Sequence, residues 1–111
     1  MKEQVLNQPI KLAFVLLPNF SMIAFSSLIE PIRLANRESG ETYFEWSCYS
    51  LDGAPVKASN HVMTQVDGSV QDLTDAFLTL VCSGIDVEQV DPGRELGKRL
   101  RYLLAHGQKI G

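Results

Sequence analysis

Three runs of hydrophobic residues recur along the chain, and their pattern predicts strands that are buried on both faces. The runs cover residues 10–17, the aromatic-rich segment 43–51, and residues 77–82. Apolar residues that follow one another without polar alternation are typical of a parallel sheet, because helices cover both of its faces. Residues 108–111 have the pattern of an approach to a fourth strand.

The segment after the first strand has helical spacing, because its large hydrophobic residues recur every three or four positions. Ser21 is a suitable cap for the start of this helix, and Gly40, which follows Ser39, is a suitable end. Pro31 removes an amide donor inside the helix, so we expect a kink near residues 29–30. The predicted apolar stripe consists of Met22, Phe25, Ile29 and Ile32, with Leu28 beside them.

The rest of the chain supplies shorter elements and a second helix. Residues 55–59 and 61–66 read as two short extended pieces with a turn near Asn60, and residues 73–76 as one helical turn. A helix is predicted from Asp91-Pro92 to Gly107, because aspartate followed by proline is a common helix start. Strands that alternate with helices predict an α/β fold with a parallel sheet and right-handed crossovers.

The composition describes one globular domain and excludes several functions. The chain has 111 residues, of which 45% are hydrophobic and 21% charged. The net charge of −3 leaves no basic footprint for nucleic acid. Residues 1–9 read as a polar leader without the apolar core of a signal peptide, and residues 10–111 as the domain. No run approaches the ~20 apolar residues that span a bilayer, so we expect a cytoplasmic protein without membrane contact.

Ligands of open α/β sheets bind beyond the carboxyl ends of the strands, and two such ends can be read here. Asn19 and Phe20 follow the first strand, and Cys82, Ser83 and Gly84 end the third. The amides of Ser83 and Gly84 can face an anion, because glycine permits close backbone approach. A plain strand-to-helix turn is the alternative interpretation.

Catalytic chemistry has little support in the sequence. Cys82 is the one attractive nucleophile, but neither His61 nor His106 has a sequence reason to lie beside it. Cys48 and Cys82 sit in apolar runs, without metal-ligand spacing, and read as buried thiols. We therefore predict no catalytic residue, no metal and no cofactor.

A carboxylate and a guanidinium lie three residues apart on the first helix, at Glu30 and Arg33. Residues at this spacing are neighbours on a helix surface. The pair is either a surface ion pair or dimer contact, or it helps to hold a zwitterionic ligand.

The chain contains five spaced motifs, namely Pro18–Ser21, Glu30–Arg33 with Ala35-Asn36, Ser50–Gly53, Pro55-Val56 and Ala58–Asn60. Together they closely resemble the amino-terminal domain of GlxA-type regulators, which are AraC-family transcription factors. The resemblance implies a flavodoxin-like, three-layer fold similar to PfpI and class I glutamine amidotransferases. It implies a carboxy-terminal helix-turn-helix domain, absent from this chain, as the only part that binds DNA.

The resemblance also implies a function, namely a sensor that forms a homodimer or larger assembly and responds to a small nitrogenous metabolite. Glycine betaine, carnitine and amino acids such as arginine are the expected effectors. Enzymes of this superfamily place an acidic residue where this chain has Ile23, and their nucleophile follows the strand that begins at Lys109. Both points argue against an enzyme, although a fragment of a PfpI-like hydrolase and a ligand-free interaction domain remain alternatives.

The same resemblance predicts that the sheet is incomplete. We expect the chain to be the front part of a longer regulator, with a missing strand in the middle of the sheet beside the first and third strands. A missing strand would leave backbone groups unpaired at an edge, so we also expect another copy to cover that edge.

Overall fold

A computed structural model describes residues 8–73 and 76–84, together with the backbone of residues 109–110. The predicted helix over residues 91–107 and most of the predicted leader, residues 1–7, lie outside the described residues.

A five-stranded sheet forms the centre of the described part. Its strands are β1 (Ile10–Leu16), β2 (Phe44–Ser50), β5 (Gly68–Ser69), β6 (Leu78–Cys82) and β7 (Lys109–Ile110). Every paired strand in it is parallel, and the order is β5–β2–β1–β6–β7. The predicted α/β fold with a parallel sheet is therefore confirmed.

The first strand lies between two neighbours, which corrects the expected position of a missing strand. Leu12 of β1 is in register with Trp46 of β2 on one side and with Leu78 of β6 on the other. β7 pairs with the far side of β6, where Leu78 faces Lys109. The prediction of an unfilled place beside β1 is wrong, because β2 and β6 occupy both of its edges.

The helix α1 (Met22–Ser39) has the predicted ends. The Ser21 side chain accepts a hydrogen bond from the amide of Ala24 at 3.2 Å. Gly40 closes the helix in the left-handed conformation, with φ of 74°, and its amide donates to the carbonyl of Asn36 at 3.1 Å. The helix runs through Pro31 as one continuous element, and the predicted kink there stays a prediction.

Hydrophobic side chains fill the two faces of the sheet in alternation, as the strand geometry requires. Phe25 from α1 packs edge-on against Phe14 of β1, with ring centroids 5.5 Å apart, and against Phe20 at 5.8 Å. The buried cluster on the α1 side comprises Phe14, Leu16, Phe20, Phe25, Val56, Ala58 and Cys82. The buried cluster on the opposite side comprises Ala13, Val15, Leu17, Val70 and Leu73.

The predicted small hairpin is present as β3 (Val56–Lys57) and β4 (Met63–Thr64), which pair antiparallel. The helical turn predicted over residues 73–76 falls partly on residues 74 and 75, which lie outside the described residues. A 3-10 turn covers Val70–Asp72, and Leu73 after it is extended. Ser69 determines this position, because its hydroxyl accepts from the Gln71 amide and its own amide donates to Asp72.

Asn36 ties the end of α1 to the start of β2 through its side-chain amide. Its Oδ1 accepts from the amides of Tyr43 (2.9 Å) and Phe44 (3.1 Å), and its Nδ2 donates to the Phe44 carbonyl at 2.9 Å. Replacing Asn36 with alanine should lower the free energy of unfolding by ~2 kcal/mol, because half-buried backbone groups lose their partners. Urea unfolding measures this loss, and replacement of the exposed Ser39 with alanine is the control, expected to cost much less.

Thr79 of β6 is fully buried, and its Oγ1 has no hydrogen-bond partner within the described part of the chain. A hydroxyl buried without a partner is unfavourable, and valine has almost the same shape. Thr79→Val should therefore raise the free energy of unfolding by ~1 kcal/mol. Thr79→Ser, which keeps the hydroxyl and loses a methyl group, should be less stable than the wild type, and equal stability of the two variants would contradict this account.

Candidate functional site

Two segments meet where β1 and β6 end, and we call residues 17–21 and 82–84 the carboxyl edge. The amide of Leu17 donates to the carbonyl of Cys82, and the amide of Ser21 donates to the carbonyl of Ser83, both at 3.0 Å. Because Ser21 also caps α1, the helix begins directly beside the end of β6. The structure thus brings five of the predicted site residues together, namely Asn19, Phe20, Cys82, Ser83 and Gly84.

The hairpin forms a third wall of the carboxyl edge, which the sequence reasoning missed. The amide of Asn19 donates to the carbonyl of Lys57 at 2.8 Å, and the amide of Ser59 donates to the carbonyl of Phe20 at 2.9 Å. Hydrogen bonds between backbone groups far apart in sequence depend on the folded path and leave no residue signature. The motifs Pro55-Val56 and Ala58–Asn60 are part of the family resemblance, and they are the signals that pointed to this segment.

Asn19 and Phe20 have different places at the carboxyl edge. Asn19 is exposed and adopts the left-handed conformation, with φ of 64°, a backbone state that asparagine tolerates better than most residues. The side chain of Phe20 is fully buried in the α1-side cluster. Phe20 therefore anchors the loop from inside the core, whereas the side chain of Asn19 faces outward.

Gly84 packs directly on the neighbouring backbone. A Cβ atom at Gly84 would overlap the carbonyl oxygen of Asn19 and would come within 3.4 Å of the Phe20 carbonyl carbon. Ser83, in contrast, is exposed. The loop after β6 thus lies against the loop after β1, with no space for a side chain at Gly84. That the amides of Ser83 and Gly84 face an anion stays a prediction.

The two cysteines are poor nucleophiles. Burial raises the pKa of the Cys82 thiol to about 11. The pKa of the Cys48 thiol also rises to about 11, through burial first, then through the nearby negative charge of Asp67, and last through the Cys82 thiolate once that group ionises. Such thiols are almost entirely protonated at neutral pH, and the thiolate is the reactive form.

Thiol modification tests this directly. At pH 8, a pKa of about 11 leaves roughly one thiolate per thousand thiols, so both cysteines of the native protein should react with iodoacetamide ~100-fold more slowly than in urea. Their folded pKa values lie above the ordinary value, so the associated stabilisation is complete below about pH 8 and is lost as the pH rises towards 11. Rapid native labelling of Cys82 near pH 7 would contradict this result.

Glu30 and Arg33 lie apart from the carboxyl edge. Glu30 is nine residues beyond Ser21, a distance of about 14 Å along a helix. The Nε of Arg33 donates to both carboxylate oxygens of Glu30 at 3.1 Å, and both side chains are almost half exposed. This hydrogen bond lowers the pKa of Glu30 and raises that of Arg33. Each charge thus has its partner within the helix, as in a surface ion pair.

The remaining candidates for chemistry do not converge. His61 is exposed at the hairpin turn with φ of 73°, and His106 lies outside the described residues. Within residues 8–73 and 76–84, no three histidine, cysteine or acidic side chains gather as metal ligands. Over the same residues, the search for a helix of sufficient length and apolarity to cross a bilayer finds none.

Comparisons with known proteins agree with this fold. No model of a known protein family matches the sequence. The HTH-type transcriptional regulator CdhR of Pseudomonas aeruginosa is 38% identical over 99 residues, which cover 88% of this chain and 29% of CdhR. GbdR of the same species is 33% identical over 93% of this chain and 28% of its own length. The chain thus spans less than a third of the length of the curated relatives that it matches.

Two solved structures have a fold similar to that of this chain. An AraC family transcriptional regulator from Pseudomonas putida superposes with a TM-score of 0.79 at 28% identity, over 93% of this chain and 55% of that chain. A DJ-1 superfamily protein from Agrobacterium tumefaciens superposes with a TM-score of 0.65 at 19% identity, over 91% and 51%. The second likeness concerns the fold alone.

The parallel sheet and its carboxyl edge define an α/β domain, and its fold is similar to that of a DJ-1 superfamily protein. Two curated regulators and one solved regulator then show which proteins resemble this chain in sequence. Over nearly its whole length the chain is similar to these HTH-type and AraC family transcriptional regulators, and the predicted resemblance to AraC-family regulators is confirmed.

Proposed function

We propose that the chain is the ligand-sensing and dimerisation part of an AraC-family transcription regulator, with its effector bound at the carboxyl edge. The observation that carries this proposal is the convergence of three segments there, joined by the bonds Ser21–Ser83 and Asn19–Lys57. An exposed Asn19 and an exposed Ser83 supply polar side chains above a buried floor that includes Phe20. Such a combination is typical of small-molecule sites.

The effector in this proposal is a small nitrogenous metabolite, with glycine betaine, carnitine and amino acids as the compounds to test. A thermal-shift screen of the purified protein is the first experiment. A ligand at ~100 times its dissociation constant should add ~2.7 kcal/mol to the free energy of unfolding. Absence of a shift with every compound would count against this class of effector.

Variants can locate the effector. Asn19→Gly suits the left-handed backbone and removes only the side chain, and Ser83→Ala removes one exposed hydroxyl. Both should keep the fold and reduce the ligand-induced shift. The matched control is Glu30→Gln with Arg33→Gln, which removes the other predicted ligand contacts on α1. If the ligand-induced shift is lost only in this control, the effector binds at the surface of α1 and not at the carboxyl edge.

Dimerisation is a separate part of the proposal. Three large apolar side chains on α1 are substantially exposed, Ile23 by 81%, Leu28 by 43% and Leu34 by 41%. Ile23 and Leu34 lie about three helical turns apart and so share one face of α1, which suits a contact with a second copy. Light scattering should show a dimer whose dissociation is promoted by Ile23→Lys with Leu34→Lys. A monomer at high concentration would contradict it.

We further propose that this chain does not itself bind DNA and does not catalyse a reaction. The net charge of −3 gives this chain no electrostatic attraction to DNA, so a helix-turn-helix region outside the matched part would bind the operator. The likeness to the DJ-1 superfamily keeps a PfpI-like hydrolase as the second candidate. The raised thiol pKa values and the apolar Ile23 count against it. Turnover of an ester or peptide substrate abolished by Cys82→Ser would favour it.

A further inference from the structure

The outer edge of β2, on the side away from β1, is closed over most of its length by two side chains. In a parallel strand, the N–H and C=O groups of one residue point to the same neighbour, and the direction alternates along the strand. The carbonyl of Tyr43 accepts from the amide of Ile10 at 2.8 Å and so faces β1. The backbone groups of Phe44, Trp46 and Cys48 therefore point outward.

Asn36 covers the first of these outward residues. The Phe44 amide donates to its Oδ1 at 3.1 Å, and the Phe44 carbonyl accepts from its Nδ2 at 2.9 Å. A side-chain amide offers one acceptor and one donor side by side, as a backbone peptide does. Asn36 thus takes the place that a residue of an adjacent strand would occupy.

Asp67 covers the outward residue near the other end. The Cys48 amide donates to its Oδ2 at 2.7 Å, and the Cys48 carbonyl accepts from the Asp67 amide at 2.7 Å. Immediately beyond, Ser50 is in register with Ser69 of β5. The carboxylate therefore extends the protection of β5 along β2 and adds a negative charge at the edge.

Between the two, Trp46 alone presents outward backbone groups without a hydrogen bond in the described part of the chain. A single free residue cannot start a ladder, because strand addition needs several consecutive outward groups. Unprotected edges pair with other chains, and charged or polar side chains at the edge prevent this. We infer that Asn36 and Asp67 close the outer edge of β2 against addition of an extended strand from a second copy.

Amide hydrogen exchange on single variants tests the closure first. Asp67→Ala should make the Cys48 amide exchange about fivefold to tenfold faster, the factor that corresponds to one lost hydrogen bond. Asp67→Asn keeps an acceptor oxygen at the same position and should leave the exchange near the wild-type rate. This matched pair works in a folded protein and does not require the double variant to be stable.

Self-association of a variant that lacks both side chains tests whether Asn36 and Asp67 prevent the addition of a strand from a second copy. The protein with both Asn36→Ala and Asp67→Ala should form larger species as its concentration rises, measured by light scattering. In those species the amides of Phe44, Trp46 and Cys48 should regain protection from exchange, which an association through α1 would not produce. The same measurements on Asp67→Ala alone apply if the double variant unfolds, with weaker association expected.

Two results would overturn the inference. One is a folded opened variant with the same mass as the wild type at every concentration. The other is identical exchange and association of Asp67→Ala and Asp67→Asn. Neither depends on whether an effector binds, so the ligand proposal and this inference can fail separately.

Discussion

Replacing Phe14 with alanine should lower the free energy of unfolding by ~4 kcal/mol, which is among the largest losses expected for a single side chain in this protein. Phe14 is fully buried in the α1-side cluster, and its ring meets the edge of the Phe25 ring at 5.5 Å. The substitution removes most of an aromatic side chain and leaves a cavity between β1 and α1. Domains of this size have only ~5–15 kcal/mol of stability in total, so much of the protein would unfold on modest heating.

A phenylalanine at the surface of the same sheet provides the matched control for Phe14. Phe77 precedes β6, and its side chain is 53% exposed. The hydrogen bond from its backbone amide to the Lys11 carbonyl does not involve the side chain. Phe77→Ala should therefore cost ~1 kcal/mol or less. Phe14→Leu, which keeps most of the volume, should fall between the two. Chemical denaturation measures all three, and equal losses at Phe14 and Phe77 would show that the sheet does not bury Phe14 as described.

Elements with local determinants were predictable from the sequence. The ends of α1 follow from Ser21 and Gly40, because a cap depends only on residues within a few positions. The hairpin likewise follows from two short extended pieces joined by a turn. The 3-10 turn over Val70–Asp72 was not predicted, although Ser69 and Asp72 form a capping box, which is a local signal for such a turn.

Arrangements between distant segments were not predictable in the same way. The register of Leu12 with both Trp46 and Leu78 depends on the order of strands in space, for which no single residue carries a signature. The place of the hairpin beside Asn19 depends on backbone hydrogen bonds alone. The separation of Glu30 and Arg33 from the carboxyl edge, in contrast, follows from the rise of a helix and was available from the sequence.

Replacing Gly84 with alanine should lower the free energy of unfolding by ~3 kcal/mol and disturb the carboxyl edge specifically. The added Cβ would overlap the Asn19 carbonyl oxygen, and a backbone oxygen cannot rotate away as a side chain can. The loops after β1 and β6 would have to separate, which breaks the bonds from Leu17 to Cys82 and from Ser21 to Ser83. Calorimetry measures the loss of stability, and exchange of the Leu17 and Ser21 amides reports where it occurs.

Gly40→Ala is the matched control, because Gly40 has open space around a Cβ but a positive φ of 74°. It should cost ~1 kcal/mol from backbone conformation alone and leave the Leu17 and Ser21 amides protected. The difference between the two glycine variants therefore isolates the close contact at the carboxyl edge. A Gly84→Ala protein as stable as Gly40→Ala, with both amides still protected, would mean that the two loops do not touch. The proposed effector site would then lose the convergence on which it depends.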